Sequence, residues 1–161
     1  MTTTPARVVF DCNVFFQALT SPSGPAARLL ELAANRDILL FVSAYSLDEI
    51  QDVTSRPHIV AKYRLDAAIV ADFIADITSF ATCVDSIPHV FEFGRDPDDA
   101  HYINLALAAD AKLIVSRDKD LLSLRDCGTA EGRDFINRYP MLQILTPPEL
   151  LSLIDESQGS D

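Results

Sequence analysis

The stretch "VVFDCNVFF", residues 8–16, decides how this chain is read. An apolar run, Val8-Val9-Phe10, ends on Asp11, an amide follows at Asn13, and apolar residues then resume. A run of this kind suits a short strand buried on both faces, as in a parallel sheet. Ending such a strand on a carboxylate carries chemistry only if other acids reach the same place.

Strand-like and helix-like segments alternate. Residues 7–10 (RVVF) and 38–42 (ILLFV) read as strands, 82–87 (TCVDSI) as a weaker one, and 112–116 (KLIVS) and 142–145 (LQIL) as the last two. Between them lie helical patterns at 14–19, 26–34, 44–55, 65–81, 95–111, 119–124 and 146–154. Ser43 suits an N-cap, and Pro57 ends the helix that follows. Asp96 followed by Pro97, with acids in the first turn, marks another helix start. Thr146 and Glu149 have capping-box spacing. Residues 128–140 read as an irregular connection. The expectation is an α/β fold, a three-layer α/β/α sandwich with a mainly parallel sheet of about five strands. One domain should span residues 1–155, with a frayed tail at 156–161.

In such sheets ligands bind beyond the carboxyl ends of the strands, near the point where strand order reverses. Asp11 follows the first strand and Asp118 the fourth. Glu49 lies on the helix after the second strand and Asp99 on the helix after the third. All four acids therefore fall on one edge of the sheet. Each alone has an ordinary explanation: a turn, a solvated helix residue, a favourable charge at a helix start, an N-cap. Together they are costly, because two unit charges about 4 Å apart repel by about 4 kcal/mol at an effective dielectric of 20. A chain that gathers them either protonates some or binds a cation. Oxygen ligands without His or Cys suit Mg²⁺ or Mn²⁺. Such ions polarise phosphate oxygens and activate water. Asn13 and Ser116 are candidate supporting polar groups. Asp98 and Asp120 are neighbours that could substitute for an assigned acid.

Composition narrows the function classes. The 161 residues carry 24 acids against 13 Lys and Arg, a formal charge of −11. Setting four metal ligands aside still leaves 20 acids against 13 bases. Long-range repulsion then argues against a non-specific DNA-coating protein, so any nucleic-acid contact must be local. The most basic short stretch, 56–64 (RPHIVAKYR), offers Arg56, Lys62, Tyr63 and Arg64 as possible RNA contacts; a plain surface loop explains it equally well. No run reaches the roughly 20 apolar residues of a membrane helix, and no secretory signal pattern stands at the start. The cytoplasm is the expected location. Cys12, Cys83 and Cys127 match no disulfide or zinc spacing. No Gly-rich phosphate loop occurs. His58 and His89 sit beside prolines in expected loops, and His101 reads as a packed or solvent histidine.

The ordered set "VVFDCNVFFQALTSPSGPAARLLELA", "SAYSLDEIQDVTSRP", "DPDDAHYINLALAADAKLIVSRDKDLL" and "ILTPPELL" resembles the PIN-domain family, in its bacterial branch related to VapC-type toxins. The resemblance implies an α/β/α sandwich and Mg²⁺- or Mn²⁺-dependent endoribonuclease chemistry. It also implies a cognate antitoxin as partner and, for many members, a dimer. Its acidic positions match Asp11, Glu49, Asp99 and Asp118. Two other readings fit parts of the pattern. A haloacid-dehalogenase-type phosphatase would use Asp11 as nucleophile, but it wants a second Asp where Asn13 stands. A non-catalytic PIN-like module binding RNA or protein would have no need of the repulsive acid set.

Overall fold

The computed structural model describes residues 4–94 and 96–159. Among these, five strands form one sheet in the order β3-β2-β1-β4-β5. They are β1 (Ala6–Phe10), β2 (Ile38–Val42), β3 (Thr82–Cys83), β4 (Leu113–Val115) and β5 (Gln143–Leu145). Every pairing is parallel. The central strands are apolar where both faces are covered: Val8, Val9, Phe10, Leu40, Val42, Ile114 and Val115 are all buried.

The connections are α1 (Cys12–Thr20), α2 (Pro25–Ala34), α3 (Ala44–Thr54), α4 (Pro57–Tyr63), α5 (Ala67–Phe80), α6 (Pro97–Ala108), α7 (Lys119–Leu122), α8 (Ala130–Arg138) and α9 (Pro147–Gly159). The chain moves outward from β1 through β2 to β3, then returns across the sheet to β4 and β5. Right-handed crossovers put helices of opposite travel on opposite faces. Helices α1 to α5 thus cover one face, where α9 packs on α2, and α6 to α8 cover the other. The result is the α/β/α sandwich expected. The direction reverses between β1 and β4, so the crevice opens beyond Phe10 and Val115.

Several local expectations are corrected. The weak strand at 82–87 pairs only at Thr82 and Cys83. The basic stretch 56–64 is not a loop. It forms α4, opened by Pro57 and closed by Arg64 in the left-handed region at φ 53°, so His58 is helical rather than in a loop. Residues 128–140 are not irregular either. Thr129 caps α8 through the Gly132 N–H, and Phe135 packs edge-on against Phe91 at 5.6 Å between ring centroids. Gly132 is needed there, since a Cβ would sit 1.9 Å from the Asp126 carbonyl oxygen. Glycine in the first turn lowers the helix propensity of this segment, although its few apolar residues fall on one face. At the other end, α9 runs to Gly159, so residues 156–159 of the expected tail are helical. Ser160 and Asp161, like Arg95, lie outside the described residues.

Candidate metal centre

Register brings the first two groups together. Phe10 pairs with Val115, and the Asp11 N–H donates to the Val115 carbonyl at 2.9 Å, which sets Asp11 beside Ser116. The Ser116 hydroxyl, fully buried, donates to Asp11 Oδ2 at 2.7 Å and accepts the Asp118 N–H at 2.9 Å. Asp118 Oδ1 in turn caps α7 by accepting the Asp120 N–H at 2.7 Å. Asn13 Oδ1 accepts the Arg117 N–H at 3.2 Å, tying the loop after β4 to α1. The amide therefore braces that loop at the position where a phosphatase of the alternative type would need an acid.

From the other side, Asp96 caps α6 by accepting the N–H groups of Asp98 and Asp99. The first turn then directs Asp99 inward and leaves Asp98 exposed, its carboxylate accepting the Tyr45 hydroxyl at 3.0 Å. Asp11, Asp99 and Asp118 each offer one carboxylate oxygen, all within 4.8 Å of one another. Asp96, Asp99 and Asp120 form a second such trio, sharing Asp99. Asp11 and Asp99 are buried. Glu49, half-buried on α3, lines the same cleft beside them without belonging to either trio. Its Oε1 accepts the hydroxyl of Tyr102, a buried ring, at 2.7 Å.

The electrostatics follow from this packing. Burial, aided by the charges of Glu49 and Asp118 and opposed by the Ser116 hydrogen bond, lifts the Asp11 carboxyl to about 6. Burial, then the charges of Asp11 and Asp118, lifts Asp99 to about 8. Burial first, with Glu49 beside it, pushes the Tyr102 phenol up, so that it stays a donor. Asp99 Oδ2 is buried with no hydrogen-bond partner among the described residues. An orphaned carboxylate oxygen among other carboxylates is the environment a hard cation satisfies, and the all-oxygen donor set fits Mg²⁺ or Mn²⁺. The cleft has a volume of about 660 Å³.

Of the proposed RNA contacts, Arg56 lines this cleft and pairs with Asp52 at 2.9 Å. Tyr63 meets it indirectly, through an edge contact at 5.2 Å with Phe16, which does line it, while Lys62 lies over the Tyr63 ring at 5.3 Å. Arg64 closes α4 and is not in the lining. Sequence reasoning missed Tyr102, Tyr45 and Phe16. The lining positions on α3 and just beyond it, 45, 48, 49, 52, 53 and 56, follow helical spacing and could have been found as a face containing Glu49.

Removing the Ser116 hydroxyl tests the brace. Ser116→Ala is expected to cost about 1–3 kcal/mol in denaturant unfolding, because the buried Asp11 oxygen loses its donor. It should also slow any metal-dependent cleavage roughly 10- to 100-fold, the usual effect of losing a group that orients a ligand. An unchanged rate would mean that Asp11 is oriented without it.

A five-stranded parallel sheet in this order carries an acid trio at its switch point. The PIN domain family model matches residues 7–120, and the chain belongs to the PIN domain family. An uncharacterized protein of Methanocaldococcus jannaschii is 32 % identical over 145 residues, covering 90 % of this chain and 89 % of its own. The crystal structure of VapBC2 from Rickettsia felis bound to a DNA fragment from their promoter shares the fold. The match has a TM-score of 0.54 at 16 % identity and covers 87 % of this chain and 98 % of that one. No helix of the described residues is long and apolar enough to cross a membrane.

Proposed function

We propose that this chain is a divalent-metal-dependent endoribonuclease and the toxin component of a toxin–antitoxin pair, with Asp11, Asp99 and Asp118 holding the ion. One observation carries the reading: three acids from the end of β1, α6 and the β4–α7 loop come within 4.8 Å, with a buried Asp99 oxygen left unpartnered among the described residues. Membership of the PIN domain family supports the nuclease chemistry. The fold likeness to the VapBC2 complex supports a protein antitoxin as partner and a toxin role; a homodimer rests on the family resemblance alone.

When bound, Mg²⁺ or Mn²⁺ supplies polarisation of a phosphate oxygen, activation of water and stabilisation of the leaving oxygen. The chain's own groups do the positioning. Ser116 keeps the Asp11 oxygen turned toward the cleft and steadies Asp118 through its N–H. Tyr102 holds Glu49, which orients water or adds a ligand oxygen. Arg56, between α3 and α4, meets a phosphate of the strand.

The test is single-turnover cleavage of end-labelled RNA with Mg²⁺ or Mn²⁺, with chelator as control, beside a calorimetric Mn²⁺ titration. Metal-dependent internal cuts and Mn²⁺ binding are expected. Failure to bind Mn²⁺ would favour the non-catalytic binding module instead.

A further inference from the structure

We propose that His101 is a positioning residue for the metal centre: held between Ser43 and Tyr45, it fixes the first turn of α6 so that Asp99, and not Asp98, is the carboxylate turned to the ion. The inference rests on the reading above that Asp11, Asp99 and Asp118 hold that ion. Helices α3 and α6 belong to opposite layers of the sandwich. Their side chains meet beyond the carboxyl end of β2, where Ser43 follows Val42 directly.

His101 Nε2 lies 2.7 Å from Ser43 Oγ in a hydrogen bond. Its ring lies 4.3 Å from the Tyr45 ring between centroids, tilted by 38°. Tyr45, still 39 % exposed at the cleft, donates its hydroxyl to Asp98 Oδ1 at 3.0 Å. The next residue on α6, Tyr102, donates to Glu49 Oε1 at 2.7 Å. Asp98, His101 and Tyr102 are three and four residues apart, which puts them on one face of the helix. Side chains of α3 and its cap meet all three. Asp99 is turned about 100° from Asp98 around the helix axis, toward Asp11 and Asp118. Ser43 is a rigid support, because it is buried and its Oγ accepts the Ser46 N–H at 3.1 Å in the α3 capping box.

The first turn of α6 needs such a hold. Close carboxylates repel, so Asp11 and Asp118 push Asp99 and its turn outward. A helix end is also the part that frays most easily. From Tyr102 onward the helix is fixed by the core, where Tyr102, Ile103, Leu105 and Ala106 are buried. Its first turn has Ala100 as its buried apolar side chain, a single carbon, while Pro97 and Asp98 are exposed. The Asp96 cap satisfies the N–H groups of Asp98 and Asp99 but comes from α6 itself, so it does not set how the turn is rotated against α3. A histidine that merely filled space would need no partner for Nε2. His101 instead ties this turn to the end of β2 through Ser43.

The experiment is a calorimetric Mn²⁺ titration of the full chain, with metal-free melting measured beside it. His101→Ala should weaken Mn²⁺ binding roughly 10- to 100-fold, the scale of losing a group that orients a metal ligand. His101→Phe, which keeps a ring against Tyr45 and loses the nitrogen, should lose as much; it also guards against a folding defect in the smaller variant. His101→Gln, whose amide can reach Ser43, should recover most of the affinity. Asp98→Asn should cost more in the His101→Ala background than alone, because a released first turn lets Asp98 share the ion. Unchanged affinity in His101→Ala and His101→Phe, with or without a lower melting midpoint, would mark a packing role and overturn the inference. So would weak binding by His101→Gln, or effects of His101→Ala and Asp98→Asn that simply add. Each of these leaves the metal reading standing. No Mn²⁺ binding by the unsubstituted chain would overturn both.

Discussion

Asp11→Asn is expected to lower single-turnover RNA cleavage on the order of 100- to 1,000-fold, the scale of losing one group that stabilises charge in the transition state. The substitution keeps the shape of the side chain and leaves an oxygen to accept the Ser116 hydroxyl, so the sheet edge should stay as it is. What it removes is the negative charge of one of three carboxylates that converge within 4.8 Å. Metal affinity should fall with it, visible as a weaker Mn²⁺ isotherm. Since Asp11 is buried and its carboxyl is pushed up to about 6, metal-free stability should not suffer. Equal cleavage rates for the two chains would remove Asp11 from the site.

The second large effect is on stability. A carboxyl raised by folding holds a proton that the unfolded chain gives up, so the folded state binds more protons and loses stability as pH rises. For Asp99 that contribution is complete below the ordinary value of 3.8 and is lost as pH rises to about 8; for Asp11 the corresponding window closes near 6. The metal-free chain should therefore melt at progressively lower temperature between about pH 5 and 8. Mn²⁺ at 100 times its dissociation constant should recover about 2.7 kcal/mol, or roughly 5–10 °C for a chain of this size. Asp99→Asn should raise the metal-free midpoint at pH 8 by a few degrees, flatten the dependence above pH 6 and abolish the Mn²⁺ shift. Midpoints that ignore both pH and Mn²⁺ would mean that these acids are not under mutual strain.

The gathering of Asp11, Asp99 and Asp118 at one sheet edge was legible in the order of residues. Asp11, Glu49, Asp99 and Asp118 each follow a different strand, and parallel connectivity delivers them to one edge whatever the details of packing. The Asp96–Pro97 helix start and the Ser43 and Thr146 caps were equally legible, because capping is local chemistry between residues three or fewer apart. Helix α8 was not legible: glycine in its first turn weakens the local signal, and its anchor, Phe135, rests on distant Phe91.

Residue order alone determined the alternation of strands and helices, the apolar centre of the sheet and the edge on which the acids emerge. These depend on periodicity, turn chemistry and the handedness of crossovers, all carried by short stretches. Only the tertiary structure decided that Asp99 rather than Asp98 faces Asp11, that Tyr102 holds Glu49 and that Tyr45 stands fixed and open at the cleft. Each depends on contacts between residues some 50 to 90 positions apart, where a rotation of α6 by a single residue, about 100°, would exchange one carboxylate for its neighbour.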